Sequence, residues 1–312
     1  MNEIQFTSGS DHCSAWHLQA AGDAFASPGG RPCVVMAPGF GGTRDSSLLG
    51  YAEGFAAAGL DVLLFDYRGF GGSGGSPRQL VSVRRQRQDY HAAVAAARQL
   101  PGVDPDRIIL WGVSYAGGHV VVVAARDKRV AATISLTPAM DGVPVLIQLG
   151  RNGGVSHLVR ATGNGLRDAL RALTGRPPHL VPVVGEPGSN AIIPKAGGQE
   201  AFTAIAGPSW RNELCARTAL GAALNRPIRF ASRVRCPLLV QVGSSDSICP
   251  PPAGRRAAAK AGSRAELREY PVDHLDVYAG AWQERALADQ LDFLGRAAPA
   301  PAAPGQGGHG RA

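Results

Sequence analysis

Ser114 lies where a hydroxyl group could act as a nucleophile, between a short apolar run and a longer apolar segment. The run that starts at Ile108 predicts a buried strand, and the apolar residues that continue to Ala125 are enough for a helix. Gly112 and Ala116, two positions to either side of Ser114, are small enough for a strained turn. The spacing therefore predicts a nucleophile elbow: a strand, a sharp turn with the serine at its tip, and a helix.

A second serine, Ser73, fits the pattern Gly-x-Ser-x-Gly more strictly than Ser114 does. Glycine accounts for 41 of the 312 residues, so chance matches to this pattern are expected. Ser73 lies inside a Gly-rich loop, six residues past a strand predicted to end at Tyr67, and Pro77 follows it. Because no strand–turn–helix is predicted there, Ser114 is the candidate nucleophile.

A nucleophilic serine needs a base within hydrogen-bond reach and a carboxylate that orients the base. In a doubly wound sheet both partners must come from the carboxyl ends of neighbouring strands. Asp246 follows a strand predicted at 237–243, and His274 follows one predicted at 265–270. The order Ser114, Asp246, His274 is the one expected for an elbow-type hydrolase.

Other residues compete for these roles. Asp141, which follows the preceding strand, is the rival carboxylate, but Asp246 comes three residues after a strand end and shortly before the prolines that begin at Pro250. His119 is close to Ser114 in sequence, yet it lies five residues along the predicted helix and points elsewhere.

Acyl chemistry also requires donors for the oxyanion that forms in the transition state. The backbone N–H of Tyr115 follows the candidate nucleophile and is one donor. The second is expected from the Gly-rich turn after an early strand, where Phe40 lies between Gly39 and Gly41. A simple glycine turn with no role in chemistry is the alternative interpretation of this segment.

The elements that must position these residues alternate between strands and helices. Besides a hairpin near the start, strands are predicted at 33–37, 60–67, 108–113, 130–136, 237–243 and 265–270. Helical segments lie between most of them, for example at 81–100 and 282–295. This alternation predicts an α/β fold with a mostly parallel sheet that is covered by helices on both faces.

The interval of roughly a hundred residues before the strand at 237–243 is too long for a plain crossover, and it predicts an inserted cap or lid. The predicted division is a core in two parts, 1–138 and 229–296, with the cap at 139–228. Within the cap, helical stretches are predicted at 165–173 and 212–224. The Ala/Pro/Gly-rich tail, 297–312, is predicted to be disordered.

Composition excludes several classes of protein. The net charge is +8, but only three of the 32 basic residues are lysines and the arginines are spread along the chain, so no nucleic-acid partner is expected. No run of eighteen apolar residues predicts a membrane span. The five cysteines form no zinc-type spacing, and no secretory signal is visible, so we expect no metal and a cytoplasmic location.

One alternative comes from a different class of function. The segment Gly69–Gly74 fits G-x-G-x-x-G after a strand, and Asp89 lies twenty residues after its first glycine, as in a dinucleotide-binding fingerprint. Against this, Gly75, Ser76 and Pro77 intervene before any helix, and Asp89 lies within a predicted helix. An NAD(P)-binding oxidoreductase is therefore the less favoured hypothesis.

Taken together, the motifs resemble those of α/β-hydrolases over roughly residues 1–295. The chain is similar to the bacterial branch grouped with dienelactone hydrolases and serine aminopeptidase-like hydrolases. The segments that carry the resemblance are Pro38-Gly-Phe-Gly-Gly-Thr43, Phe65-Asp-Tyr-Arg-Gly-Phe-Gly-Gly-Ser73, Trp111-Gly-Val-Ser-Tyr-Ala-Gly-Gly118, Ser245-Asp246 and Tyr270-Pro-Val-Asp-His274.

The resemblance implies an eight-stranded sheet with an inserted cap, and a serine esterase with Ser114 as nucleophile, His274 as base and Asp246 as its partner. It implies a small-molecule acyl substrate and no cofactor. Two departures are Pro38-Gly39 where many members have His-Gly, and Ala116 for the second elbow glycine. A peptidase, thioesterase, carbon–carbon bond hydrolase or acyltransferase with the same triad stays open, as does the oligomeric state, a homodimer included.

Overall fold

The computed structural model describes residues 1–298, which form strands and helices in alternation. The strands are β1 Asn2–Ser8, β2 Asp11–Leu18, β3 Arg31–Ala37, β4 Asp61–Phe65, β5 Val103–Val113, β6 Val130–Leu136, β7 Leu180–Val181, β8 Val184–Gly185, β9 Ile193–Pro194, β10 Leu214–Cys215, β11 Leu238–Gly243 and β12 Ala265–Tyr270. The helices are α1 Leu49–Ala57, α2 Val83–Ala97, α3 Tyr115–Ala124, α4 Gly142–Leu173, α5 Gly198–Ile205, α6 Pro251–Ala261 and α7 Gly280–Ala297.

The central sheet has eight strands in the order β1-β2-β4-β3-β5-β6-β11-β12. β1 pairs antiparallel with β2, as the predicted hairpin requires, and β2 pairs antiparallel with β4. All the other pairs in this sheet are parallel. The predicted fold class, α/β with a mostly parallel eight-stranded sheet and helices on both faces, is confirmed.

Each central strand is buried on both faces, because successive side chains point to opposite sides of the sheet. In β3, Cys33 and Val35 pack into the cluster beneath α2, α3 and α6, while Val34 and Met36 pack into the cluster beneath α1 and α7. Strand β5 divides its side chains between the two clusters in the same way. The two clusters hold the carboxyl ends of the parallel strands in fixed positions.

The segment predicted as a cap, 139–228, contains more helix than was predicted, in two helical halves that meet at a kink. α4 runs over 142–173 rather than 165–173, with a kink at Gly154, where φ is +77°. Its several glycines lower intrinsic helix propensity, but packing against the 3-10 helix Ala216–Leu224 compensates. The predicted helix at 212–224 is therefore β10 followed by this 3-10 helix.

The two ends of this segment meet at its base. The N–H of Ile228 donates to the carbonyl of Met140 (2.9 Å), and the N–H of Gly142 donates to the carbonyl of Asn225 (2.8 Å). The segment therefore leaves the core and returns to it at one place.

Most of the predicted disordered tail, 299–312, lies outside the described residues, and α7 continues to Ala297. Among residues 1–298, no helix combines the length and the hydrophobicity needed to cross a membrane. All five cysteines are free and buried.

Candidate active site

Ser114 occupies the strained turn that the sequence predicts between β5 and α3. Its φ of 57° and ψ of −117° lie in a region that side-chain-bearing residues rarely adopt. Gly112 is required here, because a Cβ at that position would lie 2.4 Å from the carbonyl oxygen of Ala116. The backbone of Ser114 is held by its N–H donating to Leu136 (2.8 Å) and its carbonyl accepting from Ala139 (2.9 Å).

The structure brings Ser114, His274 and Asp246 together in one continuous hydrogen-bonded chain. His274 Nε2 lies 2.9 Å from Ser114 Oγ, and His274 Nδ1 lies 2.7 Å from Asp246 Oδ2. All three residues are buried. Asp246 Oδ1 accepts from the N–H groups of Ile248 (2.9 Å) and Cys249 (2.6 Å), which fixes the carboxylate. A proton on Nδ1 leaves Nε2 free to accept from the serine hydroxyl.

The rival residues are engaged elsewhere. Asp141 caps α4 and accepts two hydrogen bonds from Arg226, at 2.9 and 2.8 Å. Ser73 Oγ donates to the carbonyl of Asp66 (2.6 Å) and accepts from the N–H of Ser14 (2.8 Å). Ser73 therefore links strand β2 to the end of β4, and its buried hydroxyl has a structural partner on each side.

The Gly-rich loop that follows β4 forms a hydrogen bond to a carboxylate of the same chain. The N–H of Gly72 donates to Asp66 Oδ2 (3.1 Å), and α2 begins only at Val83. Asp89 is buried within α2 and accepts from Ser8 Oγ (2.6 Å). A dinucleotide-binding loop instead opens a helix directly and turns its N–H groups toward a pyrophosphate. The NAD(P) alternative therefore does not fit this geometry.

The two residues whose backbone N–H groups are the predicted oxyanion donors, Phe40 and Tyr115, line the same pocket as Ser114. Tyr115 is the first residue of α3, so its N–H has no acceptor within the helix. The second predicted donor is the backbone N–H of Phe40. The ring of Phe40 packs edge-on against the ring of Tyr115, with 5.3 Å between centroids. A Cβ on Gly39 would lie 3.0 Å from Ser114 Cβ, so glycine permits this close approach. Within residues 1–298, no backbone carbonyl accepts a hydrogen bond from the Phe40 N–H.

Ser114 and His274 open into a pocket whose other lining is almost entirely apolar. Among the residues that the structure describes, no Lys, Arg, Asp or Glu side chain lines it. Many lining residues come from the segment 139–228, including Val145, Leu149, Ile192, Phe202, Trp210 and Asn225. The apolar residues Phe40, Leu48 and Ile248 of the core complete the wall.

Cys249 also lies at the site, although nothing in the sequence singles it out beyond its place three residues after Asp246. Its Sγ lies 4.0 Å from Ser114 Oγ. Burial, and then the charge of Asp246, raise the pKa of this thiol well above its usual value, so the thiol stays protonated and is a poor nucleophile. Ligand atoms of Asp246, Cys249 and His274 lie within 4.8 Å of one another, but Asp246 and His274 bind each other.

A lysine from the segment 139–228 binds the loops that carry Asp246 and His274. Lys195 Nζ lies 2.7 Å from both Asp273 Oδ2 and Ser247 Oγ. Asp273 Oδ1 accepts from the N–H groups of Ser247 (2.8 Å) and His274 (2.7 Å). Burial opposes ionisation of Asp273, but these hydrogen bonds outweigh it and hold the pKa of the carboxyl well below its usual 3.8. The acid and base loops are thus joined to each other and to Lys195.

Replacing Lys195 with methionine should lower the free energy of unfolding by about 1 kcal/mol at pH 7, after allowance for solvent screening of a partly exposed pair. The folded pKa of Asp273 is depressed, so this stabilisation is present above the unfolded pKa of about 4 and is lost as pH falls through the folded value. Urea unfolding should therefore show a difference at pH 7 that shrinks below about pH 4.

The control is Arg255→Met, which removes an ion pair with Glu269 at the exposed surface. We expect no measurable change in stability from it. If Lys195→Met behaved as the control does at every pH, the ion pair would not stabilise these loops.

Comparisons with known proteins agree with this fold. A family model described as alpha/beta hydrolase fold matches residues 32–281. The chain is 35% identical over 299 residues to the quorum-quenching protein AidA of Acinetobacter baumannii, covering 95% of each protein. It is 32% identical over 251 residues to thiohydrolase aneE of Aspergillus aculeatus, covering 75% of each.

A solved structure extends the likeness to three dimensions. The crystal structure of alpha/beta hydrolase GrgF from a Penicillium species superposes with a TM-score of 0.79 at 26% sequence identity. The match covers 95% of this chain and 98% of that one, so it includes the segment 139–228 as well as the central sheet.

Proposed function

Because the chain belongs to the α/β-hydrolase superfamily, we propose that it is a serine hydrolase that cleaves a carboxylic ester or related acyl bond. The observation that carries this proposal is the buried chain of hydrogen bonds from Ser114 Oγ through His274 to Asp246. These side chains come from three different loops, and a purely structural role would not require that Ser114 and His274 also line an apolar pocket.

The proposed mechanism follows from the positions of these atoms. His274 Nε2 takes the proton of Ser114 Oγ as the oxygen attacks the substrate carbonyl, and Asp246 stabilises the imidazolium that forms. The N–H groups of Phe40 and Tyr115 donate to the developing oxyanion. The protonated His274 then gives its proton to the leaving group, and an acyl-enzyme remains on Ser114. Water activated by His274 releases the acid and restores the serine.

We infer that the segment 139–228 acts as a cap that selects a neutral, apolar acyl group in a small molecule. Phe202 and Trp210 from this segment face the pocket, and the absence of charged lining residues leaves a carboxylate without a partner there. The five buried free cysteines support the cytoplasm as the site of action.

Two relatives guide the choice of compounds. The name of the Aspergillus aculeatus relative, a thiohydrolase, supports a thioester as the bond that is cleaved. The Acinetobacter relative is named for quorum quenching, which supports a small signalling molecule as the substrate. Hydrolysis releases the free acid, whereas acyl transfer leaves the acyl group on an added alcohol or amine, so product analysis separates these two outcomes.

The test uses two activated esters of equal length, p-nitrophenyl butanoate and the p-nitrophenyl monoester of butanedioic acid. We expect the enzyme to hydrolyse the butanoate and to discriminate against the charged ester by about 100-fold or more in kcat/KM, because the pocket offers no partner for a second carboxylate. The measurement is the release of p-nitrophenolate at several concentrations of each ester, minus the release without enzyme, since the free carboxylate of the charged ester attacks its own carbonyl and expels p-nitrophenolate unaided.

Both compounds carry the same leaving group, so a difference between them reports on the acyl pocket alone. Equal kcat/KM values would contradict the proposed selection of neutral acyl groups. Failure to hydrolyse either ester, or the matching butanoyl thioester, would count against the hydrolase itself.

A further inference from the structure

The second half of α4 exposes a stripe of large aliphatic side chains that no part of the described chain covers. Val155, Val159, Leu166, Leu170 and Leu173 are between 54 and 84% exposed. At 100° per residue they lie within about 60° of one another on the helix. Soluble proteins rarely leave a continuous apolar face of this kind open to water, and such faces commonly mark interaction sites.

The spacing of the stripe is that of a helix-pairing seam. Val159, Leu166 and Leu173 follow one another at intervals of seven residues, and a second row, Val155, Thr162 and Ala169, repeats at the same interval between them. Two interleaved rows of this kind are the a and d positions of a coiled coil. The seam covers nineteen residues, or about 28 Å of helix.

The distribution of charge around the seam suits a second helix. The positions that border it, including Ser156, Gly163 and Ala172, carry no charge. The arginines of this half-helix lie about 120 to 160° round the helix from Val155; they are Arg160, Arg167 and Arg171. Two copies can therefore pair without bringing their arginines together.

The helix offers no exposed acidic group that would repel or misdirect a partner. Its one carboxylate, Asp168, is fully buried and accepts from the N–H groups of His179 (2.7 Å) and Arg217 (3.0 Å). On the side of the helix toward the 3-10 helix, Gly165 packs closely against Leu220, which is itself 39% exposed. Leu220 therefore adds to the apolar surface beside the stripe.

We propose that this stripe on α4 is the interface between two copies of this chain, packed helix against helix around a two-fold axis. The same surface then serves both partners, as in most homodimers. A lipid surface fits less well. The stripe contains no aromatic residue, and the arginines lie beyond the uncharged bordering positions on one side of it only, because its other side packs against the 3-10 helix.

Pairing at this stripe would also bear on the cap. The first half of the same helix contributes Val145 and Leu149 to the pocket, and the kink at Gly154 separates the two halves. A partner bound to the second half would hold α4 in place above the pocket. This inference concerns assembly and stands or falls independently of the proposed hydrolase activity.

Sedimentation equilibrium of the full chain tests the proposal. We expect a dimer at micromolar concentrations, and a rise in its dissociation constant on the order of a hundredfold or more in Leu166→Glu/Leu170→Glu, because each copy would bury two charges in the interface. The matched control, Trp282→Glu on α7, changes an exposed apolar residue far from α4 and should leave the dimer intact.

A cross-linking experiment covers the case in which the double variant does not fold. Because all five natural cysteines are buried, Thr162→Cys introduces the one exposed thiol among the described residues. A short bismaleimide should join two copies of this variant, but not two copies of Trp282→Cys.

A wild-type monomer at about 100 μM would overturn the proposal, since a specific dimer interface of this size holds together below that concentration. So would a dimer that the double variant leaves unchanged, or a dimer that Thr162→Cys fails to cross-link. A monomer that cosediments with vesicles of phosphatidylglycerol and phosphatidylcholine, and whose binding the double variant abolishes, would assign the stripe to a lipid surface instead.

Discussion

Replacing Ser114 with alanine should lower the kcat for p-nitrophenyl butanoate by at least about 10⁴-fold while the protein stays folded. The hydroxyl is the group proposed to form the acyl-enzyme, and without it only binding and the oxyanion donors remain. A fluorophosphonate should label the wild-type protein at Ser114 and leave the Ser114→Ala variant unlabelled. Alanine removes a single buried oxygen, so thermal unfolding should change little.

Ser73→Ala is the matched control for this experiment. Ser73 Oγ bonds to Asp66 and Ser14, so its loss should destabilise the protein by about 1–3 kcal/mol. The folded variant should retain most of its esterase activity. Substantial activity in Ser114→Ala, or a comparable loss in both variants at a temperature where both are folded, would refute the assignment of the nucleophile.

Asp246→Asn should reduce kcat by about 10³- to 10⁴-fold, the second largest effect that we expect. The asparagine oxygen can still accept from the N–H groups of Ile248 and Cys249, which leaves its NH₂ group facing His274 Nδ1. That NH₂ group favours the tautomer with the proton on Nε2, which cannot accept the proton of Ser114. The backbone and the burial of the site stay as they were, so the loss is chemical rather than structural.

Asp141→Asn makes the same exchange at the rival carboxylate. Asp141 binds Arg226 and caps α4, so this variant should lose stability but keep kcat within about tenfold of the wild-type value. Measuring kcat for both variants with saturating ester separates the two carboxylates. A larger loss in Asp141→Asn than in Asp246→Asn would reverse their proposed roles.

The candidate site divides into parts that local sequence could predict and parts that it could not. The turn at Ser114 was predictable because its constraint is local: Gly112 and Ala116 must be small for the chain to reverse there. The places of Asp246 and His274 followed from a topological rule, since parallel strands present their carboxyl ends at one edge. The fold class is confirmed on the same reasoning, whereas the catalytic roles stay predictions.

The parts that escaped prediction depend on contacts between distant segments. Lys195 lies more than seventy residues from Asp273, and no spacing or periodicity links the two. Cys249 lies close to Ser114 only because of how the loop that contains Asp246 folds. The length of α4 was underestimated because its glycines weaken the local signal, while the packing that stabilises the helix comes from residues 216–224.

The closure at the base of the segment 139–228 has a consequence for how this chain could change over evolution. Since Met140 and Gly142 bond directly to Ile228 and Asn225, everything between them begins and ends at a single point of the core. The entropy of closing such an excursion grows only slowly with its length. Recombination could therefore replace the segment between these residues with another inserted segment. The same proposed nucleophile, base and acid would then act on a new range of substrates, while the sheet that positions them is inherited unchanged.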